Sequence, residues 1–122
     1  DAANRAGLAT AVVTTGTPRP LPATVDLAAY RIVQESLTNA LRYAGPASVS
    51  VVLSYLPGRL LVEVNDDGRG PPEEPANRGG SGLGVIGMRE RASAVGGTLE
   101  AGAGAGGGFC VQACLPVEGD PR

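Results

Sequence analysis

The sequence contains no histidine and no tryptophan, and aromatic residues make up only 3% of its 122 residues. Without histidine, the chain cannot form a Ser-His-Asp triad, supply a histidine general base or carry a phosphohistidine. Two cysteines alone give too few soft ligands for a zinc site. Any chemistry must therefore use carboxylates, amides, glycines and a partner. The core must be built from Val, Leu, Ile and Ala.

The chain also has little net charge and no long apolar run. Its formal charge is -2 and its pI is near 5.0, so it lacks the basic field with which proteins attract nucleic acids. No apolar stretch approaches the roughly 20 residues that cross a bilayer, and the first residues do not resemble a signal peptide. We expect one soluble domain over residues 1–122, with no nucleic-acid partner and no membrane contact.

The two cysteines lie in the segment FCVQACLP, whose apolar residues alternate as in a strand. Strand spacing places Cys110 and Cys114 on one face about 13 Å apart, which is too far for a disulfide. We interpret both as buried thiols, with a redox role as the less favoured alternative.

The first half of the chain predicts a strand, a helix and a hairpin. Residues 9–15 are rich in β-branched side chains, and Asp26 is a candidate N-cap for a helix over 27–44. Pro57-Gly58 suits a type II turn between strands at 48–56 and 59–66. The apolar positions of the helix recur at helical spacing: Tyr30, Val33, Leu37, Leu41 and Ala44.

The second half predicts a lid, a helix and two strands. Residues 68–82 are dominated by Gly, Pro and charge, which indicates a long mobile loop. A helix is expected from Leu83 to Gly96-Gly97, followed by strands near 98–102 and 108–115. These elements predict an α+β fold, a two-layer α/β sandwich with a mixed, mostly antiparallel sheet and its helices on one face.

Three patterns could carry chemistry. Glu35 and Asn39 are spaced i, i+4 on one face of the first helix, where an amide oxygen suits Mg²⁺ and a carboxylate could accept a proton. Asp66 ends a strand and is followed by Gly68 and Gly70, so it could accept a hydrogen bond from an adenine amino group. Each pattern also has an ordinary interpretation, as a solvated helix face or a common Asp-Gly turn.

The third pattern is Gly80-Ser81-Gly82-Leu83-Gly84, which opens the second helix. Backbone N–H groups freed by glycine, together with the positive end of the helix dipole, make a site for phosphate oxygens. A flexible linker would look similar. The order of the three patterns along the chain nevertheless favours a nucleotide site.

In that order, the segments QESLTNALRYA, DDGRG and GSGLGVIGMRERA resemble the N box and the two glycine boxes of sensor histidine kinase catalytic domains. The resemblance covers residues 8–116 and implies the Bergerat ATP-binding fold. YRIVQESLTNALRYA and GMRERASAVGGTLE are most similar to the nitrate-sensor and desaturase-sensor subgroup. The sequence departs from many relatives at Tyr43, where they carry histidine. It has no phenylalanine-rich box between the glycine boxes, as is usual in this subgroup.

The resemblance implies a role for each motif residue. Asn39 would bind Mg²⁺, Glu35 would be the polar or general-base residue beside it, and Asp66 would recognise the adenine of ATP. The glycines and one leucine would shape the pocket and its lid: Gly68, Gly70, Gly80, Gly82, Leu83 and Gly84.

The resemblance also implies partners, a reaction and a location. The domain would donate the γ-phosphate of ATP to a histidine on a dimerisation domain of the same protein, and a response regulator would act downstream in the cytoplasm. Two alternatives stay open: a regulatory module that binds nucleotide without transfer, and a serine kinase of the anti-sigma-factor type.

Overall fold

The computed structural model describes residues 8–43, 47–67, 80–103 and 108–117. Five strands form one sheet in the order β1-β2-β3-β5-β4. Strands β1 and β2 are parallel, and the other neighbouring pairs are antiparallel, as the sequence predicts for a mixed, mostly antiparallel sheet. The elements are β1 (Leu8–Thr15), α1 (Ala23–Tyr43), β2 (Ala47–Leu56), β3 (Arg59–Asp66), α2 (Gly80–Ala94), β4 (Thr98–Ala103) and β5 (Phe109–Pro116).

The predicted hairpin between β2 and β3 is confirmed. Leu56 pairs with Arg59 across a two-residue loop, and Gly58 has a φ of 76°. A positive φ after a proline is the backbone that a type II turn requires. The turn therefore fixes the register that carries through to Asp66 at the far end of β3.

Both helices pack on the same face of the sheet. Because paired residues of adjacent strands share a face, the register places the buried side chains of four strands in one apolar layer. This layer faces Ile32 and Ala40 of α1 and Met88 and Ala92 of α2, all in the same core cluster. Its buried strand residues are Val49, Val51, Leu60, Val62, Val64, Leu99, Val111, Ala113 and Leu115.

Helix α1 begins earlier than the sequence predicts. The backbone N–H of Asp26 donates to the carbonyl of Pro22 at 2.9 Å, so Asp26 lies in the first turn and is not the N-cap. The predicted stripe is also wrong at Tyr30, which is 60% exposed, because small residues such as Ala29 and Ser36 form the buried face. No helix in the described part of the chain is long and apolar enough to cross a membrane.

Helix α2 begins at Gly80 rather than at Leu83, so the end of the predicted loop 68–82 is helical; residues 68–79 lie outside the described part of the chain. Its end is as predicted. The N–H groups of Gly96 and Gly97 donate to the carbonyls of Ser93 and Ala92, and Gly96 has a φ of 83°, which together form a Schellman motif.

The opposite face of the sheet is polar and carries the cysteines. Cys110 and Cys114 alternate with the buried Val111, Ala113 and Leu115, so they point away from the helices and are only partly buried. The prediction of buried thiols is therefore wrong. Partial burial, and then the nearby Glu63 carboxylate, raise the pKa of the Cys110 thiol above its usual value.

Candidate functional site

Glu35 and Asn39 of α1 lie against the first turns of α2. A Cβ atom added at Gly84 would lie 2.6 Å from Oε2 of Glu35 and 3.5 Å from Nδ2 of Asn39. The missing side chain at Gly84 is therefore what lets these two polar groups approach the second helix. The fold thus brings together three residues from two of the sequence motifs.

Asn39 is a buried amide without a hydrogen-bond partner in the described part of the chain. It is 6% exposed, and both its Oδ1 and its Nδ2 lack a hydrogen-bond partner among the described residues. Ser36 on the same helix is buried too, but its hydroxyl donates to the carbonyl of Ile32 at 2.7 Å. Leaving a buried polar group unpaired costs about 1–3 kcal/mol, so we expect the amide to bind a group from outside the described residues.

The chemistry of this site fits a magnesium ion bound together with a nucleotide. Mg²⁺ prefers oxygen ligands, keeps several waters and takes much of its coordination from phosphates, so one amide oxygen suffices as a protein ligand. Asn39 carries an amide oxygen of this kind, and the half-buried carboxylate of Glu35 lies beside it. The first turn of α2, with its positive dipole end, is on the adjoining side and suits phosphate oxygens.

Asp66 lies at the same end of the fold as the C terminus of α1. Only residues 44–46 separate α1 from β2, and Val49 near the start of β2 pairs with Asp66 at the end of β3. The register also places Asp66 on the helix-facing side of the sheet, in line with Val49 and Phe109. A carboxylate there faces the layer that holds α1.

Asp67, the residue after Asp66, is held by hydrogen bonds at the end of the β2–β3 hairpin. Oδ1 of Asp67 accepts the N–H of Ser48 at 2.8 Å, and the Asp67 N–H donates to the Ser48 carbonyl at 3.1 Å. Asp67 thus extends the β2–β3 ladder by one pair. Both aspartates line a cavity of about 400 Å³, but strand alternation places only Asp66 on the helix-facing side of the sheet, so Asp66 is the better candidate for ligand recognition.

A glycine that the sequence analysis missed packs on Asp66. Gly108 has a φ of 75°, and a Cβ atom there would overlap the backbone carbonyl of Asp66 and lie 3.0 Å from its Oδ1. The signal was available, because Gly108 ends a glycine run directly before the strand that pairs with β3. Glycine at this position lets β5 start against the candidate adenine-binding carboxylate.

The other glycines of the predicted site are placed only in part. Gly80, Gly82, Leu83 and Gly84 belong to the first turns of α2, whereas Gly68 and Gly70 lie outside the described residues. A groove of about 190 Å³ runs between α1 and α2, which we call the α1–α2 groove. It is lined by Arg31, Gln34, Glu35, Gly84, Gly87, Met88 and Arg91, and it shares no described lining residue with the cavity at Asp66.

A mixed sheet covered on one face by two helices, with a buried unpaired amide beside a glycine-rich helix start, is the arrangement of an ATP-binding α+β domain. The comparison with family models agrees. The chain belongs to the family of histidine kinase-, DNA gyrase B- and HSP90-like ATPases, whose model matches residues 24–119. Membership of this family implies ATP binding.

Two curated relatives are sensor histidine kinases. The chain is 33% identical over 113 residues to the sensor histidine kinase LnrJ of Bacillus subtilis (strain 168), an alignment that covers 93% of this chain and 27% of LnrJ. It is 42% identical over 77 residues to the oxygen sensor histidine kinase NreB of Staphylococcus carnosus (strain TM300), covering 62% of this chain and 21% of NreB. The chain therefore spans about a quarter of the length of these relatives.

Solved structures give the same result. The blue-light activated histidine kinase of Erythrobacter litoralis EL346 superposes with a TM-score of 0.76 at 28% identity, covering 95% of this chain and 38% of that one. Acinetobacter baumannii AdeS, at 17% identity, shares the fold with a TM-score of 0.71, covering 94% of this chain and 57% of that one. The chain is thus an ATPase domain of the sensor histidine kinase type.

Proposed function

We propose that this domain binds Mg-ATP and donates the γ-phosphate to a histidine on a dimerisation domain of the same protein. The 122 residues contain no histidine, so the acceptor must come from outside them. A response regulator would receive the phosphate next, and the reaction would take place in the cytoplasm. The named relatives and the family support this proposal.

The observation that carries the proposal is the unpaired buried amide of Asn39. In the proposed complex its Oδ1 would bind Mg²⁺, which would supply charge neutralisation at the phosphates. Glu35, Asn39 and the first turn of α2 all border the same point, because Gly84 has no side chain. The Glu35 carboxylate, the Asn39 amide and backbone N–H groups that could donate to phosphate oxygens therefore lie within one small region.

Asp66 is proposed to select adenine. Its carboxylate would accept a hydrogen bond from the exocyclic amino group, a contact worth about 1.5–3 kcal/mol with a charged acceptor. Guanine presents a carbonyl oxygen at the corresponding position, which would face the carboxylate acceptor to acceptor. Adenine nucleotides should therefore bind more tightly than guanine nucleotides.

The transfer step needs mainly positioning. An imidazole nitrogen of the acceptor forms a bond to the γ-phosphorus, while the bond from that phosphorus to the β,γ-bridging oxygen breaks and its electron pair leaves with ADP. The proton on the other imidazole nitrogen must then be lost. Glu35 is the carboxylate that we propose as its acceptor.

The proposal is tested by mixing the domain with γ-labelled ATP and a separately purified segment that bears the acceptor histidine. We expect acid-labile label on the segment, formed only when magnesium is present. The matched variants are Asn39→Ala, which should abolish labelling, and Gln112→Ala, which truncates an exposed amide on the opposite sheet face and should not.

Two results would contradict the proposal. Acid-stable label on serine would favour the anti-sigma-factor type of kinase. Tight nucleotide binding without any label on the segment would favour the regulatory module.

A further inference from the structure

No neighbour in the described part of the chain requires a glycine at position 87. It lies in the interior of α2, where glycine is among the residues that most disfavour a helix. A Cβ atom added there would meet nothing within 4 Å, in contrast to Gly84, which is pressed against Glu35. Because nothing within the described chain requires this gap, the gap suits close approach by something from outside.

The walls of the α1–α2 groove carry unpaired positive charge. Arg31 and Arg91 are both exposed on either side of it, and no carboxylate in the described ranges forms an ion pair with either guanidinium. Glu35 is the only carboxylate among the described lining residues, so these residues carry a net charge of +1 on a chain whose total is -2. Electrostatic complementarity therefore favours an acidic occupant.

At its inner end the groove reaches the polar residues of the candidate site, Glu35 and Asn39. Glu35 lines the groove, and the buried, unpaired Nδ2 of Asn39 lies 3.5 Å from where a side chain at Gly84 would begin. A molecule that fills the groove along Gly87 and Gly84 thus reaches the carboxylate to which we assign the proton of the acceptor.

We propose that the α1–α2 groove docks the segment that carries the acceptor histidine. The backbone of that segment lies over Gly84 and Gly87, and acidic side chains next to its histidine contact Arg31 and Arg91. The inference rests on the proposed function, since it assumes that the acceptor reaches Glu35. It adds the docking surface and the charge that the acceptor segment must carry.

Charge reversal tests the electrostatic part. We expect Arg31→Glu with Arg91→Glu to raise the KM for the acceptor segment roughly tenfold or more, because two attractive contacts become repulsive. The Kd for Mg-ADP, measured by calorimetry on the full 122-residue chain, should not change. Arg59→Glu, at the hairpin end of β3, is the matched control and should alter neither quantity.

Substitution of Gly87 tests the steric part. Gly87→Ala and Gly87→Leu should fold with equal or higher melting temperatures, because the helix gains propensity and the site has room. Both should lower phosphorylation of the acceptor segment, leucine more than alanine, with the Kd for Mg-ADP unchanged. A purely structural role of Gly87 predicts the reverse, lower melting temperature and intact transfer.

The outcomes separate the two proposals. A wild-type domain that fails to bind Mg-ADP or to label the segment overturns the proposed function and this inference together. A wild-type domain that binds and transfers normally, while the double reversal leaves the acceptor KM unchanged, overturns the docking surface alone.

Discussion

Replacing Asn39 by leucine should stabilise the nucleotide-free domain while removing the magnesium dependence of nucleotide binding. The side chain is 6% exposed, and neither atom of its amide has a partner in the described chain. A buried polar side chain that serves ligand binding lowers the stability of the ligand-free protein. Removing it should therefore raise stability and weaken ligand binding.

The magnitude follows from the burial of the amide. Relieving an unpaired buried polar group is worth about 1–3 kcal/mol, and leucine adds a few tenths of a kcal/mol of helix propensity over asparagine at most. For a domain of this size, 1 kcal/mol corresponds to roughly 4 °C in melting temperature. The expected increase is therefore about 4–12 °C.

The assay combines thermal unfolding without nucleotide and calorimetric titration of ADP with and without Mg²⁺. Because leucine is larger than asparagine, Asn39→Ala serves as a second variant that adds no volume. Ser36→Ala is the control on the same buried face, since its hydroxyl is already bonded to Ile32. It should change stability by no more than about 1 kcal/mol and leave the magnesium dependence intact.

A clear result would refute this reasoning. If both Asn39 variants unfold at lower temperature than the wild type, the amide is satisfied in the free domain and its burial gives no argument for a ligand. If either variant keeps the magnesium dependence, the metal ligand lies elsewhere.

Three further predictions concern the end of the sheet and its polar face. Asp66→Asn should weaken ATP binding by about 2 kcal/mol, as measured by calorimetry; unchanged affinity would remove the adenine assignment. Gly108→Ala should destabilise the domain by at least about 1–2 kcal/mol in urea unfolding, since its φ of 75° disfavours alanine, and full stability would contradict the packing on Asp66. Glu63→Gln should lower the pKa of Cys110 and speed its alkylation at pH 8, because a carboxylate that disfavours the thiolate is removed; a Cys114→Ser background isolates the rate, and a slower reaction would argue against this cause.

The sequence predicted the order of the elements and the side of a strand that carries apolar residues, because strand alternation and turn chemistry are local properties. The Pro57-Gly58 turn and the Gly96-Gly97 helix end need particular backbone angles, which only a few residue types supply, and both were confirmed. The alternation in β5 likewise identified the apolar side of the strand.

The errors have tertiary causes. Tyr30 was assigned to the buried stripe by size, but α1 packs on the sheet through small residues such as Ala29, and Tyr30 stays exposed. The start of α2 was placed too late because its glycines have low helix propensity. The close approach of Gly84 to Glu35 depends on the packing of two helices, which helix propensity does not describe. The prediction that Cys110 and Cys114 are buried assumed that both faces of the sheet are covered, whereas the two helices lie on the other face.

The candidate site shows the same division. The motif residues Glu35, Asn39 and Gly84 could be chosen from spacing alone, and the fold brings them together. The contribution of Gly108 could not be read without the register, because it depends on the pairing of β5 with the end of β3. The same register places Asp66, the candidate for adenine, on the helix-facing side of the sheet, whereas Asp67 lies one residue further along and is bonded to Ser48.

The most direct test of the central claim is a two-dimensional ¹H–¹⁵N correlation spectrum of the domain, titrated with Mg-ADP. We predict that the largest shift changes fall on the side-chain NH₂ of Asn39 and on the backbone amides of Asp66, Gly84 and Gly108. Changes confined to the polar sheet face around Gln112, or no changes at all, would contradict the account.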